Sequence, residues 1–217
     1  MNATPLTRVG TLGLFALACS VGSGEGSAES ESLFVDGCWE GPFKLEPTFF
    51  AANPFDNSLT IRVQRGEQDI QVSDGFTLLV NNVSTIRSER LNQSLSLGLP
   101  VGVVPLGFAL PETPTPPDAS LSLYLNSSCR NQNAQLSAIS GEVVFEKLFS
   151  GDLNEENSDA RLTLGTFTAT VVDLQAAIPA PAGSDGPSFT YEPEDTSQLE
   201  GRFRFYFHRG TPAQPFP

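Results

Sequence analysis

The chain is poor in the side chains that most enzymes and metal sites use. It has one histidine, His208, and three cysteines among its 217 residues. A serine- or cysteine-based catalytic triad would have to use His208 as its base, and neither a G-x-S-x-G nor an H-E-x-x-H motif occurs. Without a C-x-x-C pair, a zinc site would lack ligands. The sequence therefore assigns no catalytic residue and no cofactor and favours a protein that is not an enzyme.

Basic residues are also scarce. The chain has 12 lysines and arginines against 25 aspartates and glutamates, for a formal net charge of −13. The only lysines are Lys44 and Lys147. Because binding to nucleic acid depends on Lys and Arg neutralising phosphates, this balance argues against nucleic acid as a partner. It also disfavours close docking of the protein surface on an anionic membrane.

A long hydrophobic run occurs only at the amino terminus. The segment from Gly10 to Ala18 is apolar, follows Arg8, and ends in a small residue directly before Cys19. This order of charged, apolar and small residues is typical of a signal peptide, which we place at residues 1–18. A cysteine at the cleavage position resembles the signal of bacterial lipoproteins. We therefore expect Cys19 to carry a palmitate-type lipid that anchors the protein to a membrane.

The residues that follow the anchor are small or acidic. After Cys19, residues 20–32 contain only Gly, Ser, Ala and Glu with a single Val. Such a segment cannot bury enough apolar surface to offset its chain entropy, so residues 19–32 are predicted to form a disordered tether. Ser20 stands where Asp would favour retention at the inner membrane. By resemblance to Gram-negative lipoproteins, this implies delivery to the outer membrane.

Residues 33–217 have the length of one domain with a substantial core. Apolar residues alternate with polar ones along most of this segment, which predicts antiparallel strands with one buried face. The last alternating run is the clearest, with Leu199, Phe203, Phe205 and Phe207 opposed to Arg202, Arg204, Tyr206 and His208. No stretch of ten residues shows a helical period, and residues 146–149 fit a helical turn or a strand equally. The predicted class is all-β.

Two proline-rich segments bear on which of two β architectures the sequence predicts. Residues 100–117 hold six prolines and residues 178–193 are similar, so both are expected to contain long loops. Long connections favour an antiparallel β-sandwich-like domain over a regular closed barrel. The alternative is a lipocalin-like β-barrel, because Gly37 and Trp39 form a G-x-W pattern on the first expected strand.

The two remaining cysteines, Cys38 and Cys129, are predicted to form a disulfide. An exported chain folds in an oxidising compartment, where paired cysteines form bridges. Trp39 is expected to pack over this bridge, as a tryptophan does in many sandwiches.

An acidic loop near the middle of the chain is a candidate calcium site. Asp152, Asn154, Glu156 and Asp159 provide oxygen atoms, and the first three have the alternate spacing of calcium-binding loops. However, Asn157 stands where an EF-hand needs glycine, and Thr163 stands where it needs a bidentate glutamate. A solvated loop is the alternative.

Several phrases along the chain resemble lipoproteins of the myxobacterial type. They are residues 58–66, 152–156, 165–173, 201–210 and 212–217. The resemblance would cover most of the mature chain. It implies a location in the cell envelope and carries over no activity and no site residues.

Two functions remain open after these observations. The first is a lipid-anchored envelope protein whose β domain is structural or binds an envelope partner, since strand edges can take up another chain. The second is a lipoprotein that binds a small ligand, as lipocalins do, or a hydrolase without a recognisable motif. A deep pocket near Trp39 or His208 would favour the second.

Overall fold

A computed structural model of the protein describes residues 19–66, 73–99, 116–130, 132, 134–174, 178–179, 189–190 and 195–213. The predicted signal peptide and most of both proline-rich segments lie outside these residues. Within the described residues the chain is almost entirely β. The strands are β1 (Cys19–Val35), β2 (Trp39–Leu45), β3 (Phe49–Phe55), β4 (Ser58–Gln64), β5 (Gly75–Val80), β6 (Ser94–Ser96), β7 (Ala119–Leu125), β8 (Ala134–Lys147), β9 (Leu162–Asp173), β10 (Ile178–Pro179), β11 (Phe189–Thr190) and β12 (Thr196–Ala213). A helix, α1 (Val83–Glu89), follows β5, and a 3-10 turn (Asp159–Arg161) precedes β9.

Eight of these strands close into one antiparallel barrel. Around the barrel the order is β1, β3, β4, β5, β7, β8, β9 and β12, and β12 pairs back onto β1. Because strands that follow one another in sequence lie side by side, the barrel is of the up-and-down type. β2 and β3 pair with different parts of the same edge of β1, so together they take the place of one strand beside it. β6 adds to β8, and β10 pairs with β11.

The all-β class predicted from the alternation is confirmed, but the strands form a barrel rather than two facing sheets. In the sequence, the prolines that favoured a sandwich lie between β6 and β7 and between β9 and β12, outside the eight strands of the barrel. β1, β8, β9 and β12 are 17, 14, 12 and 18 residues long. Strands of this length can tilt, twist and stagger enough to close a sheet on itself.

The prediction that residues 19–32 form a disordered tether is wrong, because they make up most of β1. The glycines of this segment face phenylalanines of β12. The three facing pairs are Gly22–Phe207, Gly24–Phe205 and Gly26–Phe203. A β-carbon on Gly24 would overlap the backbone carbonyl of Arg204 and the atoms of Phe205. The apolar surface that the segment itself lacks is therefore supplied by the neighbouring strand, with aromatic rings beside glycines.

Phenylalanine rings fill the described interior of the barrel. Nine of them are at most 4% exposed: Phe43, Phe50, Phe76, Phe145, Phe149, Phe167, Phe203, Phe205 and Phe207. Their ring centroids lie close together, at 5.2 Å for Phe50 and Phe205 and 5.1 Å for Phe76 and Phe167. Each fully buried ring contributes about 1.5–3 kcal/mol to stability. Along the described strands, the barrel encloses a packed core.

The predicted disulfide between Cys38 and Cys129 is present, with 5.5 Å between the two Cα atoms. It joins the turn between β1 and β2 to the turn that follows β7. Trp39, the next residue, is half-buried and packs against the core. The ring of Trp39 contacts the ring of Phe43 edge to face, at a centroid distance of 5.7 Å. The bridge therefore fixes the β1–β2 hairpin to the barrel at the end that we call the disulfide end.

Helix α1 was not predicted. It has seven residues, of which Val83 and Ile86 are buried, and two buried positions are too few to produce a helical period in the sequence. At residues 146–149, where the sequence fitted helix or strand, β8 ends at Lys147 and the next two residues are buried without regular structure.

Candidate functional site

Cys19, the predicted lipid anchor, is the first residue of β1. Its backbone pairs with Ala213 in β12, and the next residue, Ser20, pairs with Ala52 in β3. β3 runs three residues beyond Ala52 to Phe55, which is 68% exposed. Cys19 and Phe55 therefore lie at the same end of the barrel, opposite the disulfide end. We call it the Cys19 end.

The four calcium candidates belong to the connection between β8 and β9, also at the Cys19 end. The loop uses side-chain oxygens for its own turns: Asp152 accepts a hydrogen bond from the backbone of Asn154 at 2.8 Å, and the neighbouring Asn157 accepts one from the backbone of Asp159 at 3.0 Å. Asp152, Asn154, Glu156 and Asp159 are all exposed. Among the described residues, no three His, Cys, Asp or Glu side chains come together in a way that could hold a metal ion.

His208 is exposed on the outer face of β12. None of the hydrogen bonds found among the described residues involves its ring. The structure therefore brings neither a serine nor a cysteine to this histidine, and the described deep core near Trp39 is filled by side chains rather than open to a substrate.

Asp74, at the disulfide end, is the most buried carboxylate of the described chain, with no exposed surface. It accepts hydrogen bonds from the backbone of Ser127 at 2.8 Å and from the backbone and hydroxyl of Ser128 at 3.0 and 2.6 Å. Arg65 lies 3.7 Å from it. These donors compensate the cost of burying the charge and hold the turn that leads to Cys129.

Asp118, at the Cys19 end, is the centre of a second polar cluster. It forms a two-armed ion pair with Arg90 and accepts hydrogen bonds from the backbone and hydroxyl of Ser96, at 2.9 and 3.0 Å. Partial burial raises the pKa of Asp118, but the hydrogen bonds from Arg90 and Ser96 together outweigh it and hold that pKa below its ordinary value. Both clusters tie connections to the barrel, so we assign them structural roles.

The barrel wall opens along a seam between β1 and β12. The ladder between these strands ends at the pair Glu29–Glu200, although β1 continues to Val35 and β12 begins at Thr196. Beyond that pair, the backbone of Phe34 donates a hydrogen bond of 2.9 Å to the hydroxyl of Ser197. A side-chain hydrogen bond thus joins the two strands where the backbone ladder is interrupted.

A bulge in β1 produces the seam. Ser30 pairs with Phe43 and Leu33 pairs with Gly41, so two residues of β1 lie opposite the single residue Pro42. Proline has no N–H to donate to a ladder and is therefore found in sheets at edges and bulges. Gly41 has a φ of 125°, in the region that favours glycine. The Gly-Pro pair of β2 therefore lies opposite the bulge in β1.

The seam forms a groove of about 640 Å³ on the outside of the barrel. We call it the seam groove. It is lined by Glu29, Ser30, Glu31, Ser32, Pro42, Phe43, Lys44, Thr168, Gln198, Leu199 and Glu200. Other described grooves have volumes of about 360, 480 and 390 Å³.

The seam groove is acidic. It carries three glutamates and one lysine, and Lys44 is already engaged, at 3.0 Å from Glu46 outside the groove and 3.9 Å from Glu29. The hydrogen bond to Glu46 and the charges of Glu46 and Glu29 raise the pKa of Lys44. Glu31 and Glu200 have no ion pair among the described residues. The groove therefore offers uncompensated negative charge.

Ser30 adds a polar group that the fold does not use. It is 6% exposed, lines the seam groove, and its hydroxyl has no hydrogen-bond partner among the described residues. A buried hydroxyl without a partner costs about 1–3 kcal/mol. The hydroxyl of Ser120 and the indole nitrogen of Trp39 likewise lack a partner among the described residues.

Sequence reasoning did not find the seam groove, because its residues were assigned to the tether or to an ordinary strand. One signal was available. Gly41 and Pro42 interrupt an otherwise alternating run, and a proline within such a run indicates an edge or a bulge. This signal does not show which pair of strands has an interrupted ladder, since that depends on pairing across the closed barrel.

Comparisons with models of known protein families, with curated proteins and with solved structures found no match. Among the described residues, no helix has the length and apolar character needed to cross a membrane.

Proposed function

We propose that this protein is a lipoprotein of the cell envelope, anchored in the outer membrane through Cys19, and that its barrel binds an envelope protein partner on its outer wall without catalysing a reaction. The observation that carries the binding part is the filled interior. Nine buried phenylalanines occupy the described barrel core, whereas the seam groove opens on the outer surface. A partner would therefore meet the outside of the wall, and the myxobacterial-type phrases of the sequence support an envelope location.

The position of Cys19 determines which end of the barrel a lipid anchor would hold near the membrane. Because β1 begins at this residue, a lipid on Cys19 would hold the Cys19 end of the barrel close to the bilayer, without an intervening tether. Phe55 is a large apolar side chain exposed at that end. In this arrangement, the disulfide end and the nearby seam groove would project away from the membrane.

A second candidate function is the binding of a small apolar ligand, favoured by the eight-stranded up-and-down topology that lipocalins also use. A ligand inside the barrel would have to displace packed phenylalanine rings. A fluorescent fatty-acid analogue tests this candidate: saturable binding to the full chain that Phe205→Leu alters would support it over the outer wall. We expect no saturable binding.

Metabolic labelling with a palmitate analogue tests the anchor. The wild type and the matched variant Ser20→Ala should be labelled and recovered with the outer membrane. Cys19→Ser should lose both the label and the membrane association. Equal labelling of wild type and Cys19→Ser, or labelling of neither, would show that the proposed anchor is wrong.

A further inference from the structure

We infer that Phe55, at the tip of the β3–β4 hairpin, enters a bilayer of zwitterionic phospholipid and forms a second membrane contact beside the lipid on Cys19. The inference rests on the proposed lipid anchor. The juxtaposition that carries it is an exposed aromatic ring on a hairpin that extends past the anchor residue, at the same end of the barrel.

Phe55 is the one large apolar side chain that the described residues expose, with 68% of its surface accessible. The same strand begins with two buried phenylalanines, Phe49 and Phe50. A single exposed apolar residue is ordinary on a protein surface, so exposure alone does not indicate a contact. What distinguishes Phe55 is its position relative to Cys19.

The tip of the hairpin extends farther toward the proposed membrane than Cys19 does. Ser20 pairs with Ala52, and β3 continues for three residues beyond that pair, whereas β1 extends by one residue to Cys19. Phe55 is therefore two residues farther along the strand, about 7 Å. Because barrel strands tilt by roughly 35–45°, this corresponds to about 5 Å along the barrel axis. With the lipid-bearing residue at the headgroups, the ring would reach the depth of interfacial apolar side chains, about 5–10 Å.

Hydrogen bonds hold the tip of the hairpin in this position. The hydroxyl of Ser58 donates a hydrogen bond of 2.7 Å to the backbone carbonyl of Phe55. Asn57 accepts hydrogen bonds from the backbone of Val83 with its carbonyl and from the backbone of Ser84 with its side chain, each at 3.0 Å. A tip fixed in this way to the start of α1 loses little conformational freedom on insertion, so ordering does not offset the burial of the ring.

The charges beside Phe55 favour a zwitterionic lipid. Asp56 and Asp152 are exposed and line, together with Arg87, a groove of about 390 Å³ next to the hairpin. The protein as a whole has a net charge of −13. An anionic bilayer would repel these carboxylates. A zwitterionic headgroup has no net charge and leaves the insertion of the ring unopposed.

Fluorescence quenching by lipids brominated in their acyl chains measures the depth of position 55. The protein is the mature chain, residues 19–217, which contains every described residue. Its Cys19 thiol, which the bridge between the other two cysteines leaves free, is coupled to a single myristoyl-type chain. Trp39→Phe removes the only tryptophan of the chain. In that background and in phosphatidylcholine vesicles, Phe55→Trp should give blue-shifted emission that the brominated lipid quenches.

Glu40→Trp in the same background is the matched control. Glu40 is exposed on β2 beside the disulfide end, so its replacement should be neither blue-shifted nor quenched by the vesicles. Circular dichroism melts check that both variants fold like the wild type.

Partition into vesicles provides a second measurement. A single acyl chain binds a bilayer only marginally, so a second contact changes the bound fraction measurably. Phe55→Ser should weaken vesicle binding by about tenfold, because it removes the ring that would leave water. It should leave the melting temperature unchanged, because the ring is exposed in the free protein. Glu40→Ser should bind like the wild type, and vesicles with added phosphatidylglycerol should bind the wild type more weakly.

Four outcomes would overturn the inference. The first is an absence of quenching at position 55 in vesicle-bound protein, or equal quenching at position 40. The second is equal partition of the wild type and Phe55→Ser. The third is stronger binding to vesicles that contain phosphatidylglycerol. The fourth is a blue shift of Phe55→Trp that needs no vesicles and grows with protein concentration, which would make a second copy of this chain the occupant.

Failure of the inference and failure of the anchor are distinguishable. The acyl chain in these measurements is attached in vitro, so they report on Phe55 whether or not cells label Cys19. Labelling that is lost in Cys19→Ser, together with vesicle binding that ignores Phe55→Ser, would leave the anchor standing and remove the second contact.

Discussion

At the scale of single residues, three polar side chains that are buried or partly buried differ in how many hydrogen-bond partners they have. Asp74 and Asp118 have several donors each and hold connections to the barrel. Ser30 lines the seam groove with a hydroxyl that has no partner among the described residues. A satisfied buried group stabilises a fold, whereas an unsatisfied one costs free energy. The hydroxyl of Ser120 also lacks a partner among the described residues, so Ser30 is not unusual in this respect.

Asp118→Asn should lower the free energy of unfolding by about 1–2 kcal/mol at pH 7, because it removes a charged acceptor from Arg90 and Ser96. The folded-state pKa of Asp118 lies below its ordinary value, so the stabilisation is present above that ordinary value, near pH 4. It is lost as the pH falls through the folded-state pKa.

Urea unfolding of the wild type and Asp118→Asn at several pH values measures this difference. The two curves should converge as the solution is acidified below about pH 4. Asp152→Asn, which changes an exposed aspartate in a connection at the same end of the barrel, is the control. A difference between wild type and Asp118→Asn that persists unchanged at pH 2–3 would contradict the assignment.

At the scale of the strands, β1 and β12 depend on each other. The glycines of β1 allow the phenylalanines of β12 to lie against its backbone, so neither strand would be buried in the same way beside an ordinary partner. The seam groove arises where this pairing ends. One pair of strands thus provides both the closure of the barrel and the candidate site.

Gly24→Ala should destabilise the protein by about 1–3 kcal/mol, because its β-carbon would overlap the backbone carbonyl of Arg204 and the atoms of Phe205 in β12. The neighbouring Ser23→Ala, on the exposed outer face of the same strand, should change stability by less than about 0.5 kcal/mol. Thermal or urea unfolding compares the two variants. Equal effects would mean that β1 is not packed against β12 as described.

The disulfide is an element-scale constraint, since it fixes the β1–β2 hairpin to the turn after β7. Cys38 and Cys129 are separated by 91 residues, and closing a loop of that length removes about 4–5 kcal/mol of unfolded-state entropy on the chain-closure model. We expect the double variant Cys38→Ser/Cys129→Ser to lose about 2–5 kcal/mol of stability.

Chemical unfolding with and without reductant provides the measurement for the wild type, and the double variant should be insensitive to the reductant. Mass spectrometry of a non-reducing digest should recover the linked peptides from the wild type. Two thiols that alkylate in the native wild type would contradict the bridge.

At the scale of the whole molecule, we expect the barrel to unfold as one cooperative unit, because its last strand closes it onto its first. Truncation after Gln198 removes most of β12, including Phe203, Phe205 and Phe207, and leaves β1 and β9 as open edges. The lost burial of these three rings, about 5–9 kcal/mol, is comparable to the net stability of a domain, about 5–15 kcal/mol. The truncated chain should not fold.

Three further variants sharpen this test. Phe205→Asp should also abolish folding, because it places a carboxylate in the centre of the core. Deletion of residues 211–217 should cost less, and His208→Ala should melt like the wild type. Circular dichroism melts decide the outcome. A truncated protein that still melts cooperatively near the wild-type temperature would show that β12 is peripheral.

The sequence by itself determined the features that depend on local order. The alternation along Leu199–His208 gave the last strand, the pattern as a whole gave the all-β class, and Cys38 and Cys129 gave the disulfide. Side chains alternate across a strand wherever it lies in a fold, and two cysteines in an exported chain have few choices of partner. These inferences therefore needed no knowledge of tertiary contacts.

Only the tertiary structure decided that residues 19–32 form a strand, that the sheet closes, and where its wall opens. A prediction of order or disorder from composition counts only the apolar surface of a segment's own side chains. In β1 that surface belongs to Phe203, Phe205 and Phe207, about 180 residues away in sequence. Closure and the seam are likewise properties of the pairing between the first and last strands. Pairing over such a distance leaves no local periodicity, so the candidate site could be seen only after the chain had been folded.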